Sequence, residues 1–307
     1  MGSEKVLDLF SGMGGLSSGF IRAGFEATGV DMSDKIGMSY RKFTHSDDFR
    51  RMNLLVDSIS GQYDIVVGGP PCKPWSPVNH SRRGREHGDF ELLGRYFDHV
   101  LRIGPRMFIL ENVPLLSRDP EFEAQLNRAR SFGYSVASKV FRYSDFGAAT
   151  SRKRLIAVGT LEGSASEFMD ALDLQRTGAR TVRDEIGKYR ELVKGDREDH
   201  VWPELKTVQK YREKYRSGKY GWVILGWDHP APSFGNVMKT YILHPDSDLD
   251  AGDYRPVSVL EVSRIMGFNH GFTFPMGLGM GLRYQMLVNS VSPVFSEALA
   301  KAVAAWQ

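Results

Sequence analysis

In the stretch VVGGPPCKPWS, Val66 to Ser76, stands Cys72, the only cysteine among 307 residues. Cysteine usually behaves as a small buried hydrophobe, yet two glycines and two prolines lead into this one. Pro70 and Pro71 fix their own φ angles and supply no N–H groups, so the loop is stiff and pre-shaped. A reactive thiol needs partial exposure and helpful cations nearby. A buried, inert cysteine is the competing reading, and the Gly-Gly-Pro-Pro flank speaks against it. The second candidate is Glu111, at the end of the apolar run in FILENVP, Phe108 to Pro114. A carboxylate against apolar walls has a raised pKa and can hold a proton near neutrality. Asn112, next to it, can anchor neighbouring loops, although a Glu-Asn pair also serves simply to cap helices. A thiol and an acid on adjacent strand ends make a nucleophile and a proton-handling group.

A third constellation lies near the N-terminus. DLFSGMGGLSSGF places Gly12, Gly14 and Gly15 between an apolar stretch and a helical one. Glycines there let a ligand approach backbone N–H groups at a helix start. Ser17 occupies the last position of a dinucleotide-type fingerprint, and no Gly-Lys-Ser follows, which speaks against a nucleoside triphosphate. A tight structural turn would use the same glycines. Asp31, 19 residues beyond Gly12, suits a ribose hydroxyl pair and tips the reading toward an adenosine-bearing cofactor. Phe10 either stacks on an adenine ring or fills core.

The elements that must position these groups alternate. Strands are expected at KVLDLF, EATGVD, YDIVVGG, RMFILE and RLIAVGT (Arg154 to Thr160). Helices are expected near Leu16–Ala23, from after Asp31 through Phe43, at Leu92–Ile103 and around Pro120–Phe132. That order predicts a parallel sheet with helices on both faces, whose ligands bind outside the carboxyl ends of the strands. From about Gly163 to Asp253 strands become hard to place, and polar, basic and aromatic residues mix. VSVLEVSRIMGF and SEALAKAVAAW then restore helical periods. The expectation is a large sheet domain interrupted late by a small irregular one.

Composition sets outer bounds. Forty Lys and Arg against 37 Asp and Glu leave a formal charge of +3, too little to imply nucleic acid, so any basic surface must be local. One cysteine excludes an intramolecular disulfide and any multi-cysteine metal site and points to a reducing compartment. No run of eighteen apolar residues suggests a membrane span, and the first strand starts too early for a signal peptide. The expectation is a cytoplasmic protein, monomeric, without a metal and with no membrane attachment.

The order of these motifs resembles the cytosine-C5 DNA methyltransferases of the bacterial modification-methylase type, over nearly the whole chain. DLFSGMGGLSSGF is similar to their cofactor motif, GGPPCKPWS to their nucleophile loop and ENV to their acid motif. TSRKRLIAVG is similar to Q-x-R-x-R, VSVLEVSRIMGF to the helical motif that follows, and VNSVSP to a final Gly-Asn-x-Val. The resemblance implies a Rossmann-like S-adenosylmethionine-dependent methyltransferase domain with a small irregular target-recognition domain. It implies catalytic and cofactor-binding residues 1–162, a target-recognition domain with hinge over 163–253, and a segment 254–307 that returns to the catalytic domain.

The roles follow in the same way. Cys72 would attack C6 of a cytosine flipped out of duplex DNA, and Glu111 would engage the N3 and N4 edge. Arg152 and Arg154 would hold the pyrimidine and the nucleophile loop, with Arg154 nearer O2. Phe10, Gly12, Gly14, Asp31, Asp48 and Asn289 would line the S-adenosyl-L-methionine site, which would release S-adenosyl-L-homocysteine. SDDF stands where the family has Gly-Asp-Ile, so Asp47 competes with Asp48. Pro71, Ser76 and Asn112 would meet the substrate. Arg82 and Arg83 in SRRGREH would meet phosphates, as would Lys210 and Arg212 in KTVQKYREKYRSGK, which holds six basic residues and one acid. For a charge run alone a solvated helix face is the ordinary reading; the location in the irregular region favours DNA. Double-stranded DNA is the expected partner, with the nucleoid as the place of work, and a cognate restriction endonuclease acting on the same site is the expected companion.

The chain departs from the family pattern at Lys73 and Trp75 in the nucleophile loop, at Ala149 and Thr150 before the arginines, and at Val288 before Asn289. None of these removes a catalytic group. Three alternatives stand beside this reading. A tRNA cytosine-C5 methyltransferase of the same fold would differ in the variable region. A catalytically silent DNA-binding relative would not keep Cys72, Glu111, Arg152 and Arg154 together. A nicotinamide-dependent oxidoreductase would leave Cys72, ENV and the arginines without a role.

Overall fold

The structure is a computed structural model that describes residues 3–75, 87–218, 221–239 and 241–306. Two compact units divide the chain: residues 1–142, 153–176 and 295–307 form one, and residues 143–152 and 177–294 the other. The second unit thus starts on the segment before Lys153 and runs on into the C-terminal helices, beyond the compositional change at Gly163.

The first unit is built on a seven-stranded sheet. Its strands are β1 (Lys5–Leu9), β2 (Glu26–Asp31), β3 (Phe49–Arg51), β4 (Ile65–Gly68), β5 (Met107–Asn112), β6 (Ser135–Arg142) and β7 (Lys153–Thr160). They lie in the order β3-β2-β1-β4-β5-β7-β6. The neighbours from β3 to β5 pair parallel, while β7 runs antiparallel to both β5 and β6. An all-parallel sheet is therefore not what forms. The link 143–152 between β6 and β7 is shorter than the dozen or so residues that a parallel crossover needs, so β7 must return against β6. All residues of β4 and β5 are buried, as expected of central strands covered on both faces.

Helices α1 (Gly15–Arg22), α2 (Asp34–Thr44), α3 (Glu91–Ile103), α4 (Pro120–Ser131) and α5 (Ala165–Asp173) complete this unit together with the end of a C-terminal helix. The core includes Leu7, Leu9, Val66, Phe97, Phe108, Leu110 and Leu116. Helix α4 starts cleanly because Asp119 caps it, accepting from Glu121 N–H at 2.8 Å, and Pro120 begins the first turn. The segment from Phe295 returns to α1. There the Ser296 hydroxyl donates to the Leu16 carbonyl, and Arg22 meets Glu297 at 3.1 Å. Gly19 is required at that crossing, since a Cβ would overlap the Ser296 backbone.

The second unit holds α6 (Val182–Ile186), α7 (Arg212–Arg216), α8 (Val259–Ile265), α9 (Met280–Asn289) and a parallel strand pair, β8 (Val223–Ile224) with β9 (Ile242–Leu243); α10 (Pro293–Ala304) begins at its boundary and continues in the first unit. Reciprocal capping boxes, Thr181 with Asp184 and Ser258 with Glu261, start α6 and α8. Glu261 is fully buried and takes two 2.8 Å bonds from Arg255, the bidentate geometry that makes a buried pair tolerable. No helix among the described residues is long and apolar enough to cross a membrane.

Candidate active site

The Gly-Gly-Pro-Pro-Cys loop leaves the carboxyl end of β4. Gly69 has no side chain, and a Cβ there would stand 3.2 Å from Glu111 Oε2, so glycine permits the acid to approach the loop. Pro71 and Cys72 are half-buried. Lys73–Trp75 forms a single 3₁₀ turn, closed by Trp75 N–H donating to the Cys72 carbonyl at 3.0 Å. Asn112, fully buried at the end of β5, donates from Nδ2 to the Pro70 carbonyl at 3.0 Å and accepts from Val113 N–H at 2.8 Å. Its amide therefore holds the loop from beneath.

Glu111 does not face apolar walls alone. Arg154, at the start of β7, places Nε 2.9 Å from Glu111 Oε1, and both side chains are only about a tenth exposed. Arg154 Nη1 also donates to the Lys153 carbonyl at 2.8 Å. The antiparallel placement of β7 beside β5 makes this pair, so the strand that breaks the parallel pattern delivers the arginine. Burial pushes the Cys72 thiol above its ordinary value; the Arg154 charge draws it down, Glu111 pushes it up and Lys73 draws it down. Burial thus favours the thiol over the thiolate, and the Arg154 and Lys73 charges oppose it.

The glycine turn lies between β1 and α1. Phe10 is half-buried against the core and adopts φ 60°, rare for an aromatic residue. Gly12 (φ 55°) has open space where a Cβ would sit, whereas a Cβ on Gly14 (φ 89°) would stand 2.6 Å from Thr44 Cγ2. Gly14 is therefore fixed by packing, and Gly12 leaves room for a ligand. Asp31, at the end of β2, accepts from Gly12 N–H at 3.1 Å and from Met32 N–H at 2.8 Å. Burial raises its carboxyl above the usual range, against those backbone donors. Asp48 precedes β3 and accepts from the Thr28 hydroxyl at 2.6 Å; Asp47 is exposed, and its carbonyl accepts from Phe49 N–H at 2.8 Å.

Two residues of this turn escaped sequence reasoning. Asp8, buried in β1, accepts from the Ser17 N–H at 3.1 Å and from the Ser17 hydroxyl, clasping the turn across its base. Burial pushes its carboxyl up to about 7; the available signal was an acid inside a short apolar strand. Ser11 has a buried hydroxyl with no partner among the described residues, which fits a site made for a polar ligand. Open space at Gly12, the orphaned Ser11 hydroxyl and the Asp31 carboxylate together suit a nucleoside with ribose hydroxyls.

The remaining candidates lie in the second unit or beyond description. Arg152 is buried, and its Nε has no partner among the described residues. Asn289 ends α9, exposed, and accepts from Gln285 Nε2 at 2.8 Å. Lys210 lies over the Tyr211 ring at 5.5 Å, and Arg212 meets Asp250 at 2.7 Å. Ser76, Arg82 and Arg83 fall outside the described residues. Among the described residues no cluster of His, Cys, Asp and Glu could hold a metal ion.

This sheet, with its single antiparallel strand and its glycine turn facing an acid, defines a Rossmann-like methyltransferase fold. Among solved structures, the Entamoeba histolytica methyltransferase EhMeth matches it with a TM-score of 0.73 at 19% identity, over 99% of this chain and 98% of that one. The chain belongs to the C-5 cytosine-specific DNA methylase family, whose model it matches over residues 4–305. It is similar to the Type II methyltransferase M1.HphI of Haemophilus parahaemolyticus, at 29% identity over 98% of this chain and 87% of that one. It is also similar to the Type II methyltransferase M.HindV of Haemophilus influenzae, at 28% identity over 97% and 96%. The protein is a DNA cytosine-C5 methyltransferase, and membership implies S-adenosylmethionine as methyl donor.

Proposed function

We propose that this enzyme methylates C5 of a cytosine flipped out of a specific duplex sequence, through a covalent bond between Cys72 and C6 of the base. The observation that carries the reading is the half-buried thiol on a loop pinned by Asn112, electrostatically coupled to the Glu111–Arg154 pair. C6 is shielded in a stacked duplex, so the base must leave the stack. Cys72 loses its proton to solvent and adds to C6 as the thiolate. The electron pair moves toward N3, where Glu111 donates a proton or hydrogen bond at the N3 and N4 edge, and Arg154 stabilises charge near O2. The ring becomes enamine-like, and C5 turns nucleophilic. S-adenosylmethionine, when bound, supplies an electrophilic methyl group to C5. Loss of the C5 proton then expels the Cys72 thiolate and restores the aromatic ring.

Phe10, Gly12, Gly14, Asp31, Asp48 and Asn289 are assigned to the cofactor, with Asp31 on the ribose. Pro71, Ser76 and Asn112 are assigned to the substrate, Arg152 to the pyrimidine, and Arg82, Arg83, Lys210 and Arg212 to phosphates. Residues 163–253 are proposed to select the sequence, while 1–162 and 254–307 carry the chemistry. The enzyme works inside the cell as a monomer. A restriction endonuclease of the same specificity accompanies it, and this companion is supported by the Type II names of its relatives. Bisulfite sequencing of DNA from cells that express the parent or Cys72→Ala tests this. Methylation at one sequence context by the parent alone is expected. Methylation by the alanine variant, or methyl groups in tRNA and none in DNA, would overturn it.

A further inference from the structure

Trp75 is buried against the core beneath the nucleophile loop, its ring 5.7 Å from that of Phe90. Its indole Nε1–H donates to Asp119 Oδ2 at 2.7 Å, a short charge-assisted bond. The other oxygen of the same carboxylate caps α4 through Glu121 N–H at 2.8 Å. One aspartate thus fastens the loop to a helix of the sheet unit. Cys72 is one hydrogen bond from Trp75, whose backbone N–H meets the Cys72 carbonyl at 3.0 Å. On the other side of the thiol, Asn112 fixes the Pro70 carbonyl at 3.0 Å. Both anchors come from the segment that ends β5 and leads into α4, so the cysteine is held between two fixed points on one support.

We propose that the Trp75–Asp119 bond is a tether that sets the position of Cys72, which makes Trp75 a positioning residue for the methyl transfer. A phenylalanine at 75 would fill the apolar part of the pocket but leave Asp119 Oδ2 without its donor. The loop would then keep the Pro70 anchor and the Lys73–Asp89 ion pair at 3.4 Å but lose its hydrogen bond to the start of α4. The proposal rests on the reading of Cys72 as nucleophile only for its effect on turnover; the effect on loop geometry stands without it.

The lone thiol gives a direct readout, because iodoacetamide on the whole protein modifies Cys72 with no background from another cysteine. Trp75→Phe is expected to raise the alkylation rate at fixed pH about tenfold, and to lower the single-turnover methylation rate by about the same factor. Affinities for DNA and for S-adenosylmethionine should stay within about twofold of the parent. Asp119→Asn is the second variant: its amide still caps α4 through oxygen but turns N–H groups toward the indole. It should show the same two changes, and the double variant no more than either single one. Parent-like alkylation and turnover in folded Trp75→Phe would overturn the tether, as would additive losses in the double variant. Methylation by Cys72→Ser at the parent rate would instead overturn the nucleophile reading, with the alkylation comparison still deciding the tether.

Discussion

Glu111→Gln separates what the acid does for stability from what it does for chemistry. In the parent, Glu111 and Arg154 meet at 2.9 Å with both side chains about 10% exposed. Neutralising the acid leaves a guanidinium in a site where water reaches little of it. Breaking a buried ion pair from one side costs about 3–5 kcal/mol. Arg154 keeps its 2.8 Å bond to the Lys153 carbonyl, so the lower end, about 3 kcal/mol, applies. At a slope near 3 kcal/mol/M the urea midpoint should fall by about 1 M. Replacing both partners, Glu111→Gln with Arg154→Met, removes the stranded charge and should return stability to within about 1 kcal/mol of the parent. Methyl transfer should stay lost in both variants, because N3 of the base has no carboxyl partner in either, and in the double variant O2 has lost Arg154 as well. Urea unfolding and a tritiated-methyl assay check the two halves. A single variant that unfolds at the parent midpoint, or a double variant no more stable than the single, would refute the buried-pair reasoning. A double variant that still methylates would refute the catalytic assignment.

Two further outcomes follow from the glycine turn. The Asp8 carboxyl is raised from 3.8 to about 7 in the folded protein. Its contribution is therefore full below about pH 4 and is lost as pH rises toward 7. Asp8→Asn keeps an acceptor for Ser17, so its urea midpoint relative to the parent should rise between pH 5 and pH 7.5 and then level off; a flat difference would contradict the burial of that charge. Gly12→Ala should fold, at about 1–2 kcal/mol for its left-handed backbone, and lose S-adenosylmethionine affinity in calorimetry, since its Cβ would enter open space. Gly14→Ala should lose more stability, because its Cβ would meet Thr44 and Tyr40; equal stability in the two would contradict the packing.

Local patterns were legible, and long-range pairings were not. The glycine turn and Asp31 could be read because a strand, a turn and a helix are set by neighbouring residues, and the parallel β1–β2 pairing then brings Gly12 N–H to Asp31. The cysteine loop was legible from its prolines. The antiparallel β7 was not, because its place between β5 and β6 depends on a connection too short to cross over, and β6 alternates too weakly to announce a strand. The Trp75–Asp119 bond joins residues 44 apart, and no spacing rule covers that. Of the aromatic residues between Lys206 and Trp222, Tyr215 is buried with Val208, Leu243 and Leu249, and Trp222 packs on that cluster. The interleaving of rings and cations is therefore partly the pattern of a small core with a charged skin.

That distinction decides how the basic run should be tested. Arg212 and Arg216 both meet Asp250, and Lys214 lies 4.3 Å from the Tyr211 ring and 4.9 Å from the Trp222 ring. A shared carboxylate offsets part of the charge the sequence suggests, so a count of lysines and arginines overstates the attraction to phosphate. Surface pairs of this exposure contribute little to stability, so Asp250 can yield Arg212 to a phosphate at small cost. Lys210, with no carboxylate within ion-pairing distance among the described residues, has nothing to yield. Lys210→Gln should therefore weaken binding to every duplex alike and reduce the slope of log K against log salt by about 0.9 if it meets one phosphate. Arg212→Gln should do the same less strongly, because Asp250 already offsets part of the Arg212 charge. Asp250→Asn should act in the opposite direction and tighten binding at low salt. Fluorescence anisotropy across a salt series, on specific and random duplexes, measures all three. Unchanged slopes in both cation variants would remove this face from the DNA contact, and a loss confined to the specific duplex would reassign the residue to base reading.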